Sequence, residues 1–343
     1  MIFNYIIERG KFIMETTAMA ILSRIVSLLV SVIFAASGIV SPALSQQVKP
    51  KNEKALRLSF ATLSDSHLTE VGVARMNMLS QGFRDLDGKV DAIVAVGDMT
   101  DHGERAQYQN FYSCVEKSIK TSKFFPVVGN HDTWTESLRG KKPTYEFLRA
   151  YNNYTGKKLK TPYYTQKVNG YTFIMMSTES DRTAAYISNT QIKWLDRELK
   201  KATAKKQPVF VFCHWPINGV CGQMEIDPDM AMGKQSSKVK KVLEKYKNVF
   251  YFCGHVHAGL RGEVSNKLFG NQSVETINGV HYINLPSYMY LNYEPWKSNN
   301  GGNLLSGCGY IAEVYKNEVV LRARNYALKF YMPVYEKSIK LVK

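Results

Sequence analysis

Short apolar runs alternate along the chain with stretches in which apolar residues recur every three or four positions. Runs rich in β-branched and aromatic residues predict strands over 56–64, 90–96, 124–128, 171–178, 208–213, 249–253, 280–285, 309–315 and 318–326. Helical spacing fills 70–86, 104–119, 188–204 and 236–247, and the third of these opens with Ser188 and Gln191 at capping-box spacing. Lys316 and Asn317 form a hairpin-like connection between the last two strands. Strands alternating with helices imply parallel βαβ units, and the strand-rich last quarter adds antiparallel pairing. No repeat or linker divides this α/β pattern.

Segments 133–165, 215–235 and 286–306 are longer than connections usually are. They carry many aromatics, among them Trp134, Tyr151, Tyr154, Tyr163, Tyr164, Trp215, Tyr288, Tyr290, Tyr293 and Trp296. These side chains either pack their own loops onto the body or wall a substrate.

The first 45 residues have a different pattern. An uncharged, mostly apolar run over 25–40 follows Arg24, and Ala43-Leu44-Ser45 offers small residues at the two positions a signal peptidase reads. The expectation is a signal peptide over 1–45, cut before Gln46, with an uncleaved anchor as the alternative. Residues 46–343 then form a single domain, with 286–343 as its β-rich completion. The protein is thus expected to be exported, whether to the periplasm, the medium or the cell surface.

Charge and cysteine content narrow the picture only slightly. The net charge is +16; the leader holds Arg9, Lys11 and Arg24 against Glu8 and Glu15, so +15 remains without it. That balance suits anionic partners: a phosphorylated substrate, an acidic membrane surface or nucleic acid. Much of it lies in the runs 197–206 and 238–247, whose simplest reading is a solvated helix face. Five sparse cysteines exclude a disulfide-dense scaffold, permit at most two bridges and match no zinc-binding spacing.

The chemistry lies in the loops. SDSH (64–67) follows the first strand, GDMTDHG (97–103) the second and GNHD (129–132) the third. CHWP (213–216) follows the fifth and CGHVHAG (253–259) the sixth. Each stands at the carboxyl end of a strand, the edge at which open α/β sheets bind ligands. Asp65, His67, Asp98, Asn130, His214, His255 and His257 supply oxygen and imidazole donors in numbers suited to two cations. Mixed nitrogen and oxygen ligation suits Mn, Fe or Zn. Asp101, three residues before Glu104, has the spacing of a helix N-cap, and His281 stands mid-strand as a structural histidine.

In order, D-x-H, G-D, G-N-H-D, H and G-H-x-H resemble the signature of the calcineurin-like metallophosphoesterases, over about residues 56–285. GDMTDHG is similar to the form found in the branch containing cyclic-nucleotide phosphodiesterases. Asp101 stands where purple acid phosphatases place a metal-binding tyrosine, which disfavours that subfamily. The resemblance implies a four-layer αββα sandwich of two mixed sheets, with a dimetal site at the strands' carboxyl ends. It assigns Asp65, His67 and His257 to one divalent or trivalent metal ion, Asn130, His214 and His255 to the other, and Asp98 to both. It implies hydrolysis of a phosphomonoester or phosphodiester by a metal-bridging hydroxide. His131 would act as general acid, donating a hydrogen bond to Asp132, which would orient it and keep it protonated. The alternatives are an extracellular nuclease and a non-catalytic phosphate-binding protein.

Overall fold

The computed structural model describes residues 45–135, 142–180, 185–221, 231–257, 259–263, 266–267, 272–289 and 305–342. The leader-like segment up to residue 44 and the aromatics Tyr290, Tyr293 and Trp296 lie outside them. No helix among the described residues is long and apolar enough to cross a membrane.

Strand β1 (Leu58–Leu63) is buried at every position, as its near-continuous apolar sequence demands of a strand covered on both faces. It pairs in parallel with β2 (Ala92–Val96), and β2 with β3 (Lys123–Val127). The connections are α1 (Val73–Leu86) and α2 (Arg105–Ser118), against which α3 (Tyr145–Thr155) packs. On its other edge β1 runs antiparallel to β10 (Cys308–Val314), which continues through the expected hairpin into β11 (Glu318–Asn325). The short strands β12 (Phe330–Tyr331) and β13 (Lys337–Lys340) both pair with β11, completing seven strands.

A second sheet of six strands has the order β4-β5-β6-β7-β9-β8. Its members are β4 (Tyr164–Val168), β5 (Tyr171–Met175), β6 (Val209–Phe212), β7 (Val249–Cys253), β8 (Val274–Ile277) and β9 (Val280–Asn284). Helices α4 (Asn189–Thr203) and α5 (Ser236–Leu243) connect the adjacent parallel strands β5, β6 and β7. Right-handed crossovers place both helices on the same outer face. Their apolar sides bury Leu195, Leu199, Val239 and Leu243 in one cluster with Val211 and Tyr251.

The sheets meet face to face. Phe60 of β1 packs edge-on against Phe173, Phe210, Phe212 and Phe252, with centroids 5.0, 4.7, 5.9 and 5.7 Å away. Helices cover both outer faces, so the architecture is the expected αββα sandwich.

Two local expectations change and one alternative is decided. Segment 133–165 is not one long loop, because Phe147 and Tyr151 enter the core and draw 145–155 into α3. The described aromatics Tyr151, Tyr164, Trp215 and Tyr288 are buried and pack their own segments rather than lining an open wall. The capping box at α4 is half formed. Ser188 Oγ accepts from Gln191 N, but Gln191 turns its amide to the Ser177 carbonyl and the Glu179 carboxylate. All five cysteines are buried thiols rather than disulfides.

Candidate metal centre

The site is assembled where the parallel ladders run past the ends of their strands. Asp65 N donates to the Gly97 carbonyl at 3.1 Å, and His67 N donates to the Asp98 carbonyl at 2.9 Å. The β1–β2 register thus continues into both loops and sets Asp65 beside Asp98. In the second sheet Gly254 N donates to the His214 carbonyl at 2.9 Å and fixes the CGH turn beside CHW. Tyr288 N, donating to the Ser64 carbonyl at 2.8 Å, ties the two halves together.

Turning side chains inward at a strand end needs an abrupt change of direction. Asp65, His67, Asp98, His255 and His257 all lie in the left-handed region, with φ of 59°, 43°, 49°, 74° and 49°. Each such non-glycine residue costs about 1–3 kcal/mol, tolerated only where the surroundings over-determine it. Two motif glycines are required by close approach. A Cβ on Gly129 would lie 2.1 Å from Asp98 Oδ1, and one on Gly254 would lie 1.9 Å from Ser64 Oγ.

The donors converge. Ligand atoms of Asp65, His67, Asp98 and His257 lie within 4.8 Å of one another, as do those of Asp98, His214 and His255. Asp98 therefore belongs to both groups. His67 Nε2 is 2.9 Å from His257 Nε2, and His257 Nε2 is 3.3 Å from Asp65 Oδ1. His214 Nε2 is 3.2 Å from Asp98 Oδ2. Asn130 is buried between Gly129 and His131, and His131 N donates to Asp98 Oδ1 at 3.0 Å. The structure thus brings six of the seven expected donors together, with Asn130 buried in the loop whose His131 N reaches Asp98.

Two observations test this place for cations. His214 Nδ1 is 2.9 Å from the Val96 carbonyl, so Nδ1 donates there and Nε2 faces the Asp98 carboxylate. Beside that anion Nε2 calls for positive charge, whether its own proton or a cation. Asn130 Oδ1 is likewise buried without a hydrogen-bond partner, although buried amide oxygens are almost always satisfied. The donor set fits a pair of metal ions.

Electrostatics agree. Burial opposes ionisation of Asp65 and Asp98, but the imidazoles around them, His214 foremost, outweigh it and hold both carboxyls below the usual range. Burial also resists a charge on His214, and Asp98 and Asp65 overcome it, raising that imidazole to about 9. His67 is shifted the other way, chiefly by burial.

The expected partner of His131 is corrected. Asp132 does not hold its ring. The Asp132 carboxylate is wholly buried and accepts from Gly129 N at 2.9 Å, Thr100 N at 3.0 Å and Thr100 Oγ1 at 2.8 Å. It clamps the GDMT loop to the GNHD loop, and burial together with Asp98 raises its carboxyl to about 6. His131 Nδ1 instead lies 2.8 Å from the carbonyl of Asp101. Its ring packs on Trp134, with centroids 3.9 Å apart.

Asp101 is a residue that spacing misassigned. It does not cap α2, whose N-cap is Glu104 without a side-chain cap bond. Its Oδ1 lies 3.4 Å from His67 Nδ1, so one residue touches a donor histidine through its side chain and His131 through its backbone. The Leu68–Thr100 bridge causes this by laying Asp101 alongside the first loop. His281 is structural, as expected: it is buried, lies 2.9 Å from Thr276 Oγ1 and packs on Phe250.

With this geometry established, comparison with known proteins is informative. Residues 58–259 match the model of the calcineurin-like phosphoesterases. The chain belongs to that family. A probable glycerophosphodiester phosphodiesterase of Arcobacter nitrofigilis is 24% identical over 205 residues, covering 57% of this chain and 70% of its own length. A 3',5'-cyclic-nucleotide phosphodiesterase of Nostoc sp. is 24% identical over 249 residues, covering 70% and 81%. Among solved structures, a dimetal phosphatase from Danio rerio shares the fold with a TM-score of 0.56 at 16% identity, covering 84% of this chain and all of its own. A purple acid phosphatase from yellow lupin seeds superposes with a TM-score of 0.55 at 14% identity, covering 82% of this chain and 53% of its own. The site belongs to a family of phosphoester hydrolases.

Proposed function

We propose that the protein is an exported phosphodiesterase of this family. The supporting observation is the convergence of six donors from both sheets on one centre, in two groups that share Asp98, with Asn130 buried in the adjoining loop. Asp65, His67 and His257 would hold one cation, Asn130, His214 and His255 the other. When bound, such a pair neutralises phosphoryl oxygens and acidifies a water for direct attack on phosphorus. Mixed donors favour Mn, Fe or Zn. Preference for a diester over a monoester follows from the two curated relatives, both named as phosphodiesterases.

The chain's own groups supply the rest. His131 Nδ1–H donates to the Asp101 carbonyl, which leaves Nε2 to carry a proton to the departing alkoxide. Trp134 packs on that ring and limits its rotation. Asp132 keeps the loop bearing Asn130 and His131 in register with the loop bearing Asp98. The apolar run over 25–40 supports export, and cleavage before Gln46 is compatible with the body. Gln46 N donates to the Lys329 carbonyl at 2.7 Å, and its own carbonyl accepts from Arg324 at 2.6 Å.

The test is metal-stripped protein given Mn²⁺ and assayed on bis-p-nitrophenyl phosphate and p-nitrophenyl phosphate. The diester should turn over faster. His131→Ala should keep both metals by elemental analysis and lose about 10²–10⁴-fold in turnover. Loss of metal with turnover merely tracking occupancy would refute the role of His131, and no hydrolysis of either ester would refute the activity. Amino-terminal sequencing of protein from intact cells should read from Gln46.

A further inference from the structure

We propose that the outer face formed by α4 and α5 docks the protein onto an anionic bilayer, independently of catalysis. Segments 189–206 and 234–247 are far apart in sequence. Between them they hold eleven lysines and one arginine against Asp196, Glu198 and Glu244, a net of +9. All of these cations are exposed except Lys240, which is half-buried. The fold brings the two segments side by side. Tyr246 Oη donates to Asp196 Oδ1 at 2.8 Å, and Lys245 Nζ lies 2.9 Å from Asp196 Oδ2.

Each run alone reads as a solvated helix face. Together they form one layer that carries most of the molecule's excess charge. Right-handed crossovers dictate this layer by placing both helices on the same side of the second sheet. Their apolar sides are consumed by that sheet, which leaves the lysines as the outermost groups.

The composition favours lipid headgroups over nucleic acid. Eleven of the twelve cations are lysines, compact and strongly hydrated point charges, without the bidentate fork that reads base edges. Within the two segments Trp194 packs on Tyr163 with centroids 4.8 Å apart and Tyr246 is tied to Asp196, so neither aromatic is a free stacking platform. A sheet of basic side chains gains attraction from each charge brought within a Debye length of an anionic surface. The apolar run over 25–40 gives the chain a route to a membrane in the first place.

Lys193, Lys200, Lys205 and Lys241 are exposed, and none is among the residues that form the metal centre. The test uses the protein without residues 1–45, so that the leader cannot contribute. It compares co-sedimentation with vesicles of phosphatidylcholine alone and with vesicles containing phosphatidylglycerol. Binding should require the anionic lipid, fall steeply between low and high salt, and drop by about a hundredfold or more when all four lysines become glutamate. Diester hydrolysis in solution and the melting temperature should stay unchanged, separating lost docking from lost folding. Equal binding to both vesicles, no binding to either, or retention by the variant would overturn the proposal. Tighter binding to duplex DNA than to anionic vesicles, lost in the same variant, would assign the face to nucleic acid instead.

Discussion

Asp101 shows how one residue can connect two functions, through its side chain and its backbone. Its carboxylate lies 3.4 Å from His67 Nδ1, and its carbonyl accepts from His131. Asp101→Asn keeps the backbone contact and removes a charge beside His67. Affinity for one metal should fall by about 10–100-fold, as for other groups that orient ligating histidines, while kcat at saturating metal changes little. Titration with Mn²⁺ followed by assay separates the two effects; a lower kcat at full occupancy would mean that Asp101 serves His131 instead. The seven donors were legible because each follows a strand-like run and the family signature orders them. Asp101 was not, because D-x-x-E has the same spacing whether the carboxylate turns to a helix end or to a neighbouring loop. Asp132 was misread for the same reason: adjacency to His131 says nothing about which loop its carboxylate faces.

Among the elements, each proposed cation draws donors from both sheets, so packing between the sheets builds both positions at once. Phe60 lies at the centre of that contact, touching four phenylalanines of the second sheet. Phe60→Ala should destabilise the protein by about 3–5 kcal/mol, read as a shift in urea midpoint, and weaken binding of both metals together. Loss at one position alone would show that the two halves are not coupled through this core.

His281 on β9 gives a pH dependence of defined sign. Burial lowers its imidazole to about 4, whereas an unfolded histidine titrates near 6.5. The unfolded chain therefore binds more protons between these values, and stability present above pH 6.5 is lost as the pH falls towards 4. Urea midpoints across that window should fall less steeply for His281→Gln than for the parent. An unchanged slope would mean that the acid sensitivity arises elsewhere.

The long strands and four of the five helices were legible because their apolar periodicity is unbroken. Helix α3 was hidden, since its aromatic and asparagine residues have weak helix propensity and only the packing of Phe147 and Tyr151 decides the matter. Strand β8 has four residues of mixed burial, too few for a period to emerge.

For the molecule as a whole, the metal centre is also a stabilising element. Five residues with left-handed backbone and two buried carboxylates surround it, and cations that bind only the folded form offset that cost. The melting temperature of stripped protein should rise on adding Mn²⁺. Free metal at a thousandfold excess over Kd corresponds to about 4 kcal/mol per site. A melting temperature indifferent to metal would mean that the donors are held rigidly without it.

The pairing of β1 with β10 also bears on timing. Leu58 lies opposite Val314, and Gln46 is held by Lys329 and Arg324. Among the described strands, the first to be synthesised waits for one of the last. Until the final segment has emerged, one edge of β1 has no neighbour and the first sheet cannot close. A ribosome-bound chain would therefore leave the first sheet open, and closure would follow release. Under the proposed export, this order of strands would also keep the first sheet open until the final segment had crossed the membrane.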